Sequence, residues 1–140
     1  MPLYAFRSSV ARSCHLAAVS LKNQGKLSLA EKWLDVALEV DPQAYLRFYH
    51  RGIVRFNQAK YAGAELDGES SASLAPCFSP AHHLIAEARF ALGDKEGALE
   101  GYRAAIRNVP SFAGYVAEPM RGIHAERKDC AAILDLAHKC

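Results

Sequence analysis

A chain of 140 residues that is 51% hydrophobic and 23% charged has room for one domain with a real core and is too apolar to stay disordered. Its formal charge of +2 argues against a dedicated nucleic-acid binder, which needs many clustered Lys and Arg to hold phosphates. No stretch approaches the roughly 18 uninterrupted apolar residues of a membrane helix, so no membrane insertion is expected.

The first thirty positions contain no acidic residue, while Arg7, Arg12, Lys22 and Lys26 alternate with Ser8, Ser9, Ser13 and Ser20. That composition admits a transit-peptide reading. The same stretch also reads as an amphipathic helix from about Ser9 to Gln24, with Val10, Cys14, Ala17, Ala18 and Leu21 on one face and Gly25 as its stop. A second helix is expected to open at Ser28, with Glu31 completing a capping box. Its apolar face would be Leu29, Trp33, Leu34, Ala37 and Val40, and Asp41-Pro42 would close it. A third helix is expected over about Tyr45 to Gln58 and a fourth over Tyr61 to Ser73. In the fourth, the inward positions Ala64, Gly68, Ser71 and Ala72 are all small. Large neighbours such as Tyr45, Phe48 and Phe78 would fill the space, or a partner would approach there.

Ser79 to Pro110 reads SPAHHLIAEARFALGDKEGALEGYRAAIRNVP, one complete helix–turn–helix unit. Ser79 is its expected N-cap, Pro80 suits the first helical position, and Gly93-Asp94 separates the two helices. Ala81, Ile85, Ala88 and Leu92 face inward from the first, and Ala98, Tyr102, Ala105 and Ile106 from the second. Beyond Pro110, Pro119 marks a kink or a helix start, and a last helix is expected from Asp129 to about Lys139. Cys14, Cys77, Cys130 and Cys140 form no CxxC pair, so a zinc site, a redox motif or a disulfide framework lacks support. They are expected as reduced, mostly buried small hydrophobes, with Cys140 the exposed one and the cytoplasm as compartment.

The chain repeats. Pro42, Pro76 and Pro110 are 34 residues apart, and so are Ala30, Ala64, Ala98 and Ala132. Ala37 and Ala105 mark a second small position with Ser71 between them, and Gly52 has Ala18 and Ala86 as counterparts. On these residues the chain resembles the tetratricopeptide-repeat family, from about Val10 to Cys140. The resemblance implies an all-α, right-handed solenoid of antiparallel helix pairs, about 3.5 repeats and seven or eight helices, in a single domain with repeats at about 9–42, 43–76, 77–110 and 111–140. Departures include Gly68, where the family has a large residue, and Arg51, where it often has leucine. Family variants with such an arginine carry an aspartate in the next helix. Asp67 fills that place, which implies a structural Arg51–Asp67 salt bridge.

The family binds partners in a concave groove lined by the first helix of each pair. Carried onto this chain, the groove rows are His15, Tyr49 and His83; Val19, Ile53, Glu87 and Arg121; and Lys22, Phe56, Phe90 and His124, with Arg12 and Asn57 flanking. The carboxylate clamp of the chaperone-binding subgroup is absent, because its places hold His15, Val19, His50, Pro80 and Leu84. The expected function is a non-catalytic adaptor or scaffold for a protein or peptide partner, with no cofactor and no metal. Two alternatives stand beside it: a self-assembling homo-oligomer module, and the interaction domain of a larger enzyme. No nucleophile elbow, phosphate loop or HExxH motif is present. His82 and His83, adjacent on a helix, cannot chelate as an i, i+4 pair does.

Overall fold

Each helix hairpin closes through the same turn. Gly25, Ala59 and Gly93, again 34 residues apart, have left-handed φ of 78°, 62° and 88°. Their amides donate to Lys22, Phe56 and Phe90 carbonyls at 2.9, 2.9 and 3.0 Å. The amides of the following residues, Lys26, Lys60 and Asp94, reach back to Leu21, Arg55 and Arg89 at 2.9, 2.8 and 2.9 Å. This pair of bonds satisfies the orphan carbonyls at a helix C-terminus and reverses the chain within three residues.

The computed structural model describes residues 3–108 as six helices: α1 (Leu3–Asn23), α2 (Leu27–Val40), α3 (Tyr45–Asn57), α4 (Tyr61–Leu74), α5 (Ser79–Ala91) and α6 (Lys95–Asn108). The expected kink at Pro119, the helix over 129–139 and the fourth repeat lie outside the described residues. Helices pair as α1/α2, α3/α4 and α5/α6, and each pair packs on the next through α2/α3 and α4/α5. Among the described residues, α3 touches both α1 and α5 more closely than the even-numbered helices touch one another. The array therefore curves with the odd-numbered layer inside.

The core runs as a chain of small clusters between successive helices. Ala11, Cys14 and Ala37 join α1 to α2; Ala18, Ala30, Leu34 and Val54 join α1, α2 and α3; Ala64, Leu84 and Ala88 join α4 to α5. The in-phase alanines Ala30, Ala64 and Ala98 are all fully buried, so they set how closely the helices approach.

Several expectations change. Helix α1 begins six residues before Ser9, at Leu3. Ser28 caps nothing: Lys26 is the N-cap of α2 and makes no side-chain cap bond, because the turn at Gly25 has already bent the chain into the helix. Glu31, freed from a capping box, accepts from Arg55 and Lys60 at 3.1 and 3.0 Å. Leu29 and Trp33 are 45% and 39% exposed, and Leu38 is buried in their stead. Leu92 follows the end of α5 and is half exposed. Phe78, not Ser79, is the N-cap of α5; the buried Ser79 hydroxyl instead donates to the Ala105 carbonyl at 2.9 Å, tying α5 to α6. Cys77 is exposed in the loop after Pro76, whereas Cys14 is buried. Gly68 is filled by Ile85, whose Cγ1 lies 2.7 Å from where a Cβ would stand, and not by Tyr45, Phe48 or Phe78.

Candidate functional site

The inner layer presents one turn-by-turn stripe from each odd helix. On α3, Tyr49, Ile53 and Phe56 are half-buried and rest on the Ala64, Leu84 and Ala88 cluster. Their spacing of four and three residues puts them on one helical face. Small residues beneath leave the larger side chains standing at the surface. Tyr49 packs edge-on against Phe78 at 5.2 Å between ring centroids, and Phe56 against Tyr61 at 5.1 Å. Phe90 on α5 is 44% exposed, and Asn57 and Arg12 are exposed. Val19 and His15 are half-buried on α1. Arg121 and His124 lie outside the described residues.

Two of the expected polar residues are engaged within the fold. Glu87 accepts a hydrogen bond from the Tyr102 hydroxyl at 2.9 Å and lies 3.3 Å from His83 Nε2. The hydrogen bond from His83 outweighs burial and, with that from Tyr102, holds the Glu87 carboxyl below its usual range. Burial, with the Glu87 charge, pushes the Tyr102 phenol up. Tyr102 is fully buried and needs an acceptor for its hydroxyl, so Glu87 serves the α5–α6 packing first.

At the α1 end, the His15 and His50 rings pack at a tilt, with centroids 4.8 Å apart and planes at 59°. Burial, helped by His15 and Lys22, pushes His50 down to about 4. Burial, with Arg47 and Lys22 nearby, also lowers His15. Both imidazoles are therefore neutral near pH 7 and add no charge to that of Arg12 and Lys22 at this end of the groove. His50 stands outside the three groove rows, although it occupies one of the places of the absent carboxylate clamp.

Behind the groove, the α2–α3–α4 seam holds a charge network. Arg51 grips Asp67 in two places, Nη2 to Oδ1 at 2.8 Å and Nε to Oδ2 at 3.1 Å, and reaches Asp35 through Nη1 at 3.0 Å. Arg55 bridges Asp67 at 3.1 Å and Glu31 at 3.1 Å. Asp67 is 2% exposed, a burial that a carboxylate tolerates only with such partners. Arg89 repeats the Arg55 pattern one period on, meeting Glu65 at 3.0 Å. Arg55 and Arg89, like Glu31 and Glu65, stand 34 residues apart; that doubled spacing was the available signal for this bridge. Among the described residues no group of three metal-ligating side chains converges, and no helix is long and apolar enough to cross a membrane.

No family model matches the sequence. Protein FlbA of Caulobacter vibrioides is 36% identical over 94 residues, which are 67% of this chain and 16% of FlbA; the chain thus spans about a sixth of that relative's length. Among solved structures, the first TPR of Spaghetti (RPAP3) bound to HSP90 peptide SRMEEVD matches with a TM-score of 0.82 at 24% identity, over 87% of this chain and 96% of that one. MamA matches with a TM-score of 0.84 at 14% identity, over 92% and 77%. The Arabidopsis OM64 TPR domain gives 0.74 at 13% identity, over 75% and 87%. The in-phase hairpin turns, the buried alanine ladder and these likenesses agree that the chain folds as a tetratricopeptide-repeat array.

Proposed function

We propose that the chain is a non-catalytic adaptor that holds a peptide segment or helix of another protein in the groove formed by α1, α3 and α5. The observation that carries this reading is the half-exposed stripe Tyr49, Ile53 and Phe56, continued by exposed Phe90. Aromatic residues at the centre of a concave surface are the usual anchors of a binding interface, and an apolar stripe suits an apolar or amphipathic segment. A solved structure of the same fold carries a bound peptide, which supports the use of such a groove here. Because the chain spans 16% of FlbA, the reading concerns this module and leaves any catalysis to other segments of a longer relative. The cytoplasm remains the proposed compartment.

Affinity capture with wild type beside the Tyr49→Ala, Phe56→Ala, Phe90→Ala variant tests the reading. Partners held by wild type should be lost from the variant while circular dichroism shows both equally helical. Equal retention by both would exclude the groove as the binding surface.

A further inference from the structure

Among the described residues, Glu87 is the only acidic residue that the odd-numbered helices carry, because α1 and α3 have none. It stands in the groove row Val19, Ile53 and Glu87, where the first two repeats place an aliphatic side chain. The carboxylates of the outer layer are neutralised: Glu31, Glu65 and Asp67 each hold an arginine, at 3.1, 3.0 and 2.8 Å. Glu87, with a side chain 33% exposed, holds no arginine or lysine among the described residues. Its partners there are the Tyr102 hydroxyl and the His83 imidazole, and both contacts end on Oε1. They fix the carboxylate and leave Oε2 without a bond from a described residue. A carboxylate offers about four acceptor sites, so half of its capacity is unused. The Tyr102 hydroxyl alone would be satisfied by any neutral acceptor; packing does not call for the charge.

The surroundings of Glu87 are apolar. Leu84 and Ala88, its neighbours on α5, carry the Tyr49, Ile53 and Phe56 stripe, and exposed Phe90 follows one turn along the helix. Such a rim keeps water away from an ion pair made at Oε2 and strengthens it. The bonds from His83 and Tyr102 hold the Glu87 carboxyl below its usual range, so the group is ionised near pH 7. The other end of the groove has the opposite sign, through Arg12 and Lys22 on α1. A bound cation is repelled there and attracted at α5, so the groove sorts the charges of a segment by position. From this charge complementarity we infer that Glu87 sets specificity: its Oε2 receives the ammonium or guanidinium of a lysine or arginine whose apolar neighbours in the bound segment rest on Tyr49, Ile53 and Phe90. The inference rests on the groove reading and adds to it the chemistry of the partner.

The probe is a random peptide display library selected on wild type, with the affinities of individual peptides read by fluorescence anisotropy. Peptides lost from the Tyr49→Ala, Phe56→Ala, Phe90→Ala variant occupy the groove, and these should be rich in Lys or Arg beside apolar residues. Glu87→Gln, whose amide oxygen still accepts from Tyr102, should weaken them about 10-fold or more, the worth of a charge-assisted bond. Changing the basic residue of the peptide to glutamine should cost as much on wild type and little on Glu87→Gln. Selection on Glu87→Lys should enrich Asp and Glu instead. Groove peptides without a basic preference, or held equally by wild type and Glu87→Gln, overturn the inference and leave the groove reading standing. Peptides that survive the three alanine changes, or a library that yields no binder, overturn both. Tyr102→Phe keeps the charge and removes the hydroxyl, with helicity of every variant checked by circular dichroism. It should retain the basic preference; a loss as large as that of Glu87→Gln would assign Glu87 to packing alone and overturn the inference.

Discussion

The second and third repeats share a backbone plan and solve its packing differently. Matched one period apart, Arg51, Asp67, Gly68, His50 and Ala59 of the second face Ile85, Gly101, Tyr102, Leu84 and Gly93 of the third. The third repeat is the economical version. Ile85 is apolar, the space for a side chain at Gly101 is taken by Ala86 at 2.8 Å, Tyr102 fills the centre, and Gly93 adopts its positive φ freely. In the second repeat a buried carboxylate replaces that glycine, arginines cover it, and glycine replaces the large core residue. The interface inside a helix pair thus accepts either close apolar packing or a satisfied charge cluster. A buried charge cluster, unlike apolar packing, leaves an uncompensated charge when one member is removed.

Asp67→Ala should therefore produce the largest effect. Removing one partner of a buried pair costs about 3–5 kcal/mol. Here Arg51 and Arg55 retain Asp35 and Glu31 and are themselves partly exposed, so a loss of about 2–3 kcal/mol in urea unfolding is expected. Adding Arg51→Ile, the residue of the third repeat, should recover part of that loss, because the uncompensated guanidinium goes with it. Unchanged stability in Asp67→Ala would mean that the network contributes nothing, and that the two repeats differ in sequence alone.

The in-phase alanines and prolines made the helix pairs legible in the sequence, because close helix approach demands small residues at fixed spacing. The Arg51 and Asp67 pair was legible through the resemblance. What escaped was geometry across helices. Ser79 has the chemistry of a cap, yet its hydroxyl found a carbonyl on α6. Glu87 reads as a groove carboxylate until Tyr102, fifteen residues later, is seen to need its oxygen. Trp33 and Leu29 look like core at a helical spacing, but what lies over α2 depends on which residues α1 offers, and Ala17 and Leu21 cannot reach across as Arg51 and Arg55 do.

The next contrast concerns His50 and Leu84. His50 is pushed down to about 4 by burial, with His15 and Lys22 adding to it, whereas an unfolded chain protonates it near 6.5. Tyr49 also packs against its ring. Between those two values the unfolded state binds the extra proton, so stability is complete above pH 6.5 and falls as the pH drops towards 4. After allowance for partial solvent exposure, His50 should account for about 1–2 kcal/mol over that window. His50→Leu, the residue of the third repeat, should flatten this stretch of the stability–pH curve and leave the carboxylate losses below pH 4.5. An undiminished slope between pH 6.5 and 4 would remove His50 as its source.

The smallest expected effect is a gain. Ala59 holds the left-handed turn that glycine holds in the first and third repeats, with the same pair of backbone hydrogen bonds. An L-residue pays about 1–2 kcal/mol for that conformation through the clash of its Cβ with the following carbonyl. Glycine avoids the clash but enlarges the unfolded ensemble, which takes back about 0.4–1 kcal/mol. Ala59→Gly should therefore stabilise the chain by about 0.5–1 kcal/mol, while Gly93→Ala should destabilise it by a similar amount. Ala59 is exposed, so no packing term offsets the comparison, and thermal unfolding of the two variants reads the turn alone. A loss of stability in Ala59→Gly would show that the second repeat draws support from the alanine methyl group that its φ angle does not predict.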